Sequence, residues 1–465
     1  MKLNYKKTIC VGFAFFLISM FWQAYDSLVP KILTDKFGMA QTWSGMIMAL
    51  DNLIALFLLP IFGAISDKTR SRYGRRTPFI FIGTIAASVS FFALSFIDGW
   101  QKANLGEVAL ADTEARLAYA WSVTAENPVT LVFFVLLLLV VLLSMAIFRS
   151  PAVALMPDVT VKPLRSKGNA IINLMGTAGG IIVLALGIVF GTGKAENALM
   201  GYTPFIGVVV LLMLAALGVF LLTVREPKLV AEMEEESRRL GIDEEKEAAE
   251  EAEKLAEKKG VKLDRPQLIS LLLILASVAL WYIGYNAVTS KYSVYAGNVL
   301  GLDYNTTLII AQAAAVVAYI PAGIVATKIG RRKTILGGIV LLFFAFLFAS
   351  FLREGSSALL LNTLFILAGI GWATINVNSF PMVVELSKSA DVGRYTGFYY
   401  TASMSAQILT PVLSGVFMDL IDMTVLFPYA AIFVAFSFVT MFFVRHGDAR
   451  PTEKKSVLEQ LGADD

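Results

Sequence analysis

The sequence predicts an all-α membrane protein whose chain crosses the bilayer twelve times, in two pseudo-symmetric halves of six helices. Three observations carry this. The 465 residues are 57% hydrophobic and only 16% charged, where a soluble domain would be about a quarter charged. The apolar residues gather into runs of about 20, the length that spans a bilayer as a helix. A charged loop and its surroundings also recur half a chain apart.

Hydropathy places spans near 9–30, 42–65, 78–97, 129–157, 169–190, 203–223, 267–289, 305–326, 334–352, 358–381, 395–418 and 424–444. The start, MKLNYKKTIC, has the positive charge of a signal peptide. The apolar run behind it is too long and ends in FWQAYDSLVP, without a small-residue cleavage site, so it reads as a retained first span. Every second loop is basic: Lys2, Lys6 and Lys7 before span 1; Lys68 to Arg76 after span 2; Lys162, Arg165 and Lys167 after span 4; Lys328 to Lys333 after span 8; and Arg445 onward. By the positive-inside rule these loops and both termini are cytoplasmic, in a multi-pass protein of the cell membrane. The longest opposite loop runs from about Asp98 to Asn127 and is acidic.

The stretch from Arg225 to Arg265 is rich in Glu, Lys and Ala at helical spacings, which predicts a solvated helix. It is a cytoplasmic linker, or else a regulatory or partner-binding helix. The expected division is 1–224, a first six-helix bundle; 225–266, the linker; 267–445, a second bundle; and 446–465, a tail. The halves match in three places. GAISDKTRSRYGRRTP after span 2 pairs with GIVATKIGRRKT after span 8. Asp158, Arg165 and Gly168 pair with Glu385, Arg394 and Gly397. Trp22, Tyr25 and Asp26 pair with Trp281, Tyr285 and Asn286. Duplication of this kind predicts a cavity near mid-membrane, between the halves.

There is one cysteine and one histidine, His446, beyond the last span. Disulfides are therefore excluded, and carboxylates must do any intramembrane proton chemistry. No metal cluster, cofactor motif or catalytic triad is present. Basic residues sit in topology-setting loops and not in a nucleic-acid footprint.

Asp51 lies in MIMALDNLIALFLLP, near the middle of span 2. A charged aspartate there costs about 2.5–3.5 kcal/mol. Ile47, Met48, Ile54, Ala55 and Leu58 share its stripe and cannot satisfy it. It is either a coupling carboxylate, fit to bind and release a proton, or a buried acid that fixes packing. Trp22, Gln23, Tyr25 and Asp26 in span 1 offer an aromatic face beside amide and acid groups, the combination that sugar binding needs; aromatics near a helix end also serve as interface anchors. Asp26 is expected in the outer third of its span. Arg149 in span 4 could hold an acid or a hydroxyl-rich substrate, or snorkel to the interface. Asn173, Tyr285, Asn286, Trp372 and Asn376 complete the candidate substrate set, with Gln312, Tyr399 and Gln407 as weaker members; any one of them could instead bond a neighbouring helix. The candidate cytoplasmic gate is Asp67, Arg75, Arg76, Asp158, Arg165, Arg331, Glu385 and Arg394. Asp67 could pair with the basic cluster or sit at a helix N-terminus.

The repeated glycine, acid, basic, Gly-Arg-Arg loop resembles the signature of the major facilitator superfamily. The longer copy SDKTRSRYGRRTPFI, with FRSPAVALMPDVTVKPLRSKGNAI from Phe148 to Ile171, resembles the glycoside–pentoside–hexuronide:cation symporters and their sucrose-transporter-like branch. The resemblance implies the major facilitator fold and alternating-access import of a disaccharide or glycoside, driven by protons or sodium. It implies a small-molecule substrate, a proton or sodium ion and the bilayer as partners, and a monomer. The sequence departs from the pattern at Leu142, where sucrose carriers have an acid. It departs again at Ala55, Leu59 and Arg149, where melibiose-type carriers have acids. The reading is therefore a proton-coupled sugar importer using Asp51. An exporter or non-sugar carrier, or a non-transporting sensor, stands as the alternative.

Overall fold

The computed structural model describes residues 3–106, 112–161, 164–241, 264–386 and 392–447. Side chains of 166, 167 and 392–394 lie outside that description, as do most of the linker and the tail. Fourteen α-helices are described. In the first half they are α1 Tyr5–Lys31, α2 Gln41–Lys68, α3 Thr77–Leu105, α4 Thr113–Glu126, α5 Val129–Asp158, α6 Arg165–Phe190 and α7 Thr203–Thr223. Then come α8 Glu226–Arg239, α9 Arg265–Tyr295, α10 Tyr304–Ile329, α11 Arg331–Ala349, α12 Ala358–Glu385, α13 Val392–Leu420 and α14 Leu426–Phe442. All the expected spans are present as long helices; α4 and α8 are additional.

Eleven of the long helices are apolar enough to cross a membrane. The twelfth, α13, has the length but carries Tyr399, Tyr400, Thr401, Ser403, Ser405 and Gln407. Two hydrophobic clusters form the cores. One runs from Val11 to Val224, the other from Leu271 to Val444 with Leu184 of α6. Inside each core the helices are held by packing and by polar side chains turned onto their own backbone, as water is absent from that environment.

The duplication is visible in backbone detail. Both α1 and α9 continue into five-residue π segments, Ile32–Lys36 and Ala296–Leu300. In the paired loops, Gly74 (φ 108°) and Gly330 (φ 93°) occupy left-handed conformations that only glycine adopts cheaply. At Gly74 a Cβ would also lie 2.3 Å from the Glu226 carboxylate.

Three expectations need correction. Span 1 is not finished by Lys31: the helix runs on to Lys36, with Lys31, Asp35 and Lys36 fully buried. Asp26 therefore lies about 15 Å inside that end, by 1.5 Å per residue, at the inner edge of the outer third of the lengthened helix. Asp98 is not in a loop. It is buried inside α3, ion-paired with Lys36, and much of the supposed loop is α4. Asp67 does not cap a helix N-terminus; it ends α2 and pairs with Arg76. The carboxylate at the α3 N-terminus is that of Glu226, from the start of α8, accepting from Arg75 N (2.8 Å), Arg76 N (2.9 Å), Thr77 N (2.8 Å) and Thr77 Oγ1 (2.7 Å). Such anchoring uses the unbonded N–H groups of a first helical turn. Lys7 pairs with Glu232 further along α8, so the described part of the linker is docked on the first half.

Candidate functional site

The side of the bundle that bears the described ends of the chain is called the terminal side here, and the opposite one the far side. On the far side the halves meet closely. Gly45 of α2 lies against the backbone of Pro411, and Gly415 of α13 against that of Gln41; a Cβ would fall 2.0 and 2.4 Å from carbonyl oxygens. Ala40, the N-cap position of α2, makes no side-chain cap. Asp419 of α13 supplies one across the interface, accepting from Gln41 N (2.7 Å), Thr42 N (2.7 Å) and Thr42 Oγ1 (2.6 Å). Buried Lys291 donates to Gln41 O at 2.7 Å. Asn298 of the second half donates to Asp35 and accepts from Arg116. None of Asp419, Asp35 and Arg116 stood in the candidate set.

The pairs at the terminal side stay within one half. Arg75 and Arg76 meet Asp158 at 2.8 Å, and Arg331 meets Glu385 in the matching position of the second half. Arg165 is exposed and donates to the carbonyls of Pro157 (2.9 Å) and Thr160 (3.2 Å), closing the end of α5. The Arg394 side chain lies outside the described residues. Among the described residues, the hydrogen bonds between halves lie at the far side or at mid-depth, and Asp26 is exposed. The contacts described between the halves thus concentrate on the far side.

Asp51, Asp26 and Arg149 of the first half lie within electrostatic reach of one another. Arg149 stands over the Trp22 ring, 5.4 Å from its centroid, and makes no ion pair within 4 Å among the described residues. It does not snorkel away. Asp51 Oδ1 accepts from the Asn52 side-chain amide at 2.8 Å and from the Asn52 backbone N–H. Trp22 Nε1 is buried with no hydrogen-bond partner among the described residues. Gln23 of α1 accepts from Gln312 of α10 at 2.6 Å, across the interface. Tyr25 is set apart from the rest: it is fully buried, stacked on Phe21 and edge-on to Trp22.

In the second half Tyr285 lies flat on Trp372, with centroids 3.7 Å apart and planes 3° apart, while Tyr282 meets the same indole edge-on at 5.2 Å. Asn286 turns back to Tyr282 O at 2.9 Å. Asn376 is half-buried one turn from Trp372, and Asn173 is exposed on α6. Trp281 is fully buried in the core. Tyr282 and Asn52 were missed by sequence reasoning. For Tyr282 the signal was its spacing within LWYIGYN; for Asn52, its adjacency to Asp51.

Two six-helix halves that meet through polar contacts, with charged and amide side chains at mid-span, have the architecture of a multi-pass secondary transporter and not of an enzyme. The chain belongs to the MFS/sugar transport protein family, whose model matches residues 10–394. Among curated proteins it is similar to sucrose transport protein SUC4 of Arabidopsis thaliana, 27% identical over 168 residues, which is 36% of this chain and 30% of that one. It is likewise similar to sucrose transport protein SUC3 of the same plant, 28% identical over 34% of this chain and 25% of that one. The chain thus covers less than a third of either relative's length. Among solved structures, the inward-open xylose transporter XylE of E. coli matches with a TM-score of 0.64 and 14% identity, covering 99% of this chain and all of the other. A bacterial homologue of the iron transporter ferroportin, in an inward-facing state, also gives 0.64, at 11% identity, covering 95% of this chain and 99% of that one. At such identities these likenesses show the fold alone.

Proposed function

We propose that this protein imports a disaccharide or glycoside across the cell membrane by alternating access, as a monomer with both termini in the cytoplasm, and that protons drive it through Asp51. The observation that carries the reading is the Asp51–Asp26–Arg149 cluster. A carboxylate set mid-span, hydrogen-bonded by Asn52 and making no ion pair among the described residues, can be discharged without breaking a structural bridge. Movement of Arg149 or arrival of substrate changes the charge around it. Trp22 and the Tyr285–Trp372 stack supply apolar faces for the C–H side of a sugar ring. Trp22 Nε1, Gln23, Asp26, Arg149, Asn173, Asn286 and Asn376 supply groups for its hydroxyls. The similarity to sucrose transport proteins makes sucrose the first probe. Arg75, Arg76, Asp158, Arg331 and Glu385, with Asp67, Arg165 and Arg394, form the cytoplasmic rim that closes in the opposite state.

The test is uptake of labelled sucrose and a panel of glucosides into proteoliposomes under separate proton and sodium gradients. Wild type should accumulate sugar with the proton gradient. Asp51→Asn should lose accumulation and keep gradient-free exchange. Accumulation by Asp51→Asn would remove Asp51 from coupling, and sodium-only accumulation would replace the ion.

A further inference from the structure

Two hydrogen-bonded segments, adjoining at Ser27 and Tyr304, make a polar run from mid-depth between the halves to the closed far side. Gln312 Nε2 donates to Gln23 Oε1 at 2.6 Å, and Gln23 Nε2 donates to Ser27 Oγ at 3.1 Å. Ser27 lies near the Tyr304 hydroxyl. That hydroxyl lies 3.1 Å from Thr192 Oγ1, which accepts from Asn305 Nδ2 at 3.2 Å; Asn305 Nδ2 donates also to Asp303 at 2.8 Å. Gln23, Ser27 and Thr192 belong to the first half, and the other members to the second. The run therefore crosses the interface repeatedly. Gln312 is eight residues into α10 from Tyr304 (312 − 304), about 12 Å along the helix.

Its inner end is built with room to spare. A Cβ on Gly180 would lie 3.3 Å from Gln312 Oε1 and 3.6 Å from Gln23 Oε1. Glycine there keeps both amide oxygens uncovered beside the Trp22 and Asp26 end of the cleft. Gln312 spends one N–H on Gln23, leaving its oxygen and a second N–H for a ligand.

We propose that Gln312 is a substrate-binding residue, and that the Gln23–Gln312 pair is the link through which a bound sugar sets far-side closure. The inference rests on the sugar reading above. A hydroxyl both donates and accepts, so it can bridge two amides on opposite halves. It does so only while they are adjacent, and a ligand shifts a conformational equilibrium only by binding one state better. Sugar held between Gln23 and Gln312 thus favours the far-side-closed state. When the halves part on that side, the bridge is lost and the run unzips toward Asn305.

The experiment uses the full chain with Cys10→Ser and the reporter Ser44→Cys. Ser44 is fully buried next to Gly45 at the far-side contact. Maleimide labelling of the reporter is timed in detergent with and without sucrose, and sucrose KM is measured by exchange in proteoliposomes. Sucrose should slow labelling of the parent. Gln312→Ala should label faster without sugar, and its sucrose midpoint and KM should rise about fivefold, the worth of one net hydrogen bond. Gln312→Glu keeps the shape and an acceptor but loses the donors, so it should raise both constants as well; it serves where Gln312→Ala does not fold. Parental midpoint and KM in both variants would overturn the proposal. If the parent neither exchanges sucrose nor is protected by it, the sugar reading is what fails. The sugar-free labelling rate of Gln312→Ala then judges the link: faster supports it, unchanged overturns it.

Discussion

Replacing Asp419 with Ala should shift the transporter away from the far-side-closed state. Among the described residues the carboxylate is the only side-chain cap the α2 N-terminus receives, because Ala40 supplies none. It comes from the other half, so the cap exists only while the halves touch. The substitution orphans two backbone N–H groups and the Thr42 hydroxyl. Loss of an N-cap costs about 0.5–2 kcal/mol, and hydrogen bonds to a charged group contribute about 1.5–3 kcal/mol each. Water takes up part of that loss in the open state, so about 2 kcal/mol is a fair net figure, a factor of about 30. A closed-to-open ratio of about 99:1 would fall to about 3:1. Spin labels at Val129 and Leu359, exposed at the far-side starts of α5 and α12, would report this as a second, longer distance holding about a quarter of the molecules. Asp419→Asn keeps one acceptor oxygen and should fall between. A single distance distribution identical to the parent's in Asp419→Ala would refute the reasoning, since the cap would then contribute nothing to closure.

Gly45→Leu should abolish transport while leaving the separate halves folded, because its side chain must enter the backbone of Pro411; helical circular dichroism beside exchange rates checks both clauses. Glu226→Ala deletes four accepted hydrogen bonds at a buried site and should destabilise the first half by about 2 kcal/mol or more, read as an earlier thermal unfolding transition in detergent. Glu232 on α8 is held below its usual value of 4.5, chiefly by its hydrogen bond to Lys7. Its folded-state pKa is lowered, so its contribution is present above the unfolded value and fades as pH falls through the folded one. Hydrogen exchange in α8, corrected for intrinsic rates, should therefore accelerate below about pH 4.5 in the parent, and this extra acceleration should be missing in Lys7→Met.

The number and order of long helices were legible in the sequence because a bilayer leaves the backbone one economical way to cross, and hydrophobic runs of fixed length report it. The repeat was legible because Gly74 and Gly330 are bound to one backbone conformation each. The linker's first helix was legible from its charge spacing. Its docking was not, since Glu226 reads as one more solvated acid in a charged run until the open N-terminus of α3 is seen beside it.

The helix ends were the systematic failure, and the cause is physical. Lys31, Asp35, Lys36, Asp98, Lys291 and Asp419 stand where hydropathy falls, so windowed averages place them in loops. In the structure the first five are buried and Asp419 caps α2; those of the first half neutralise one another, while Lys291 and Asp419 take backbone groups of the opposite half. A charge at a span end is cheap because water is near, and there it is free to serve as a contact between halves that forms and breaks. A charge at mid-span has no such cheap alternative, which is why Asp51 stood out in the sequence and the far-side contacts did not. The two sets are complementary. Mid-span groups can respond to ion and ligand, and span-end groups hold one side shut. The Gln23–Gln312 run is a polar connection between them, built from amides and hydroxyls and ending at Asp303; its glutamines stood in the sequence as candidate substrate groups and not as a link between the halves.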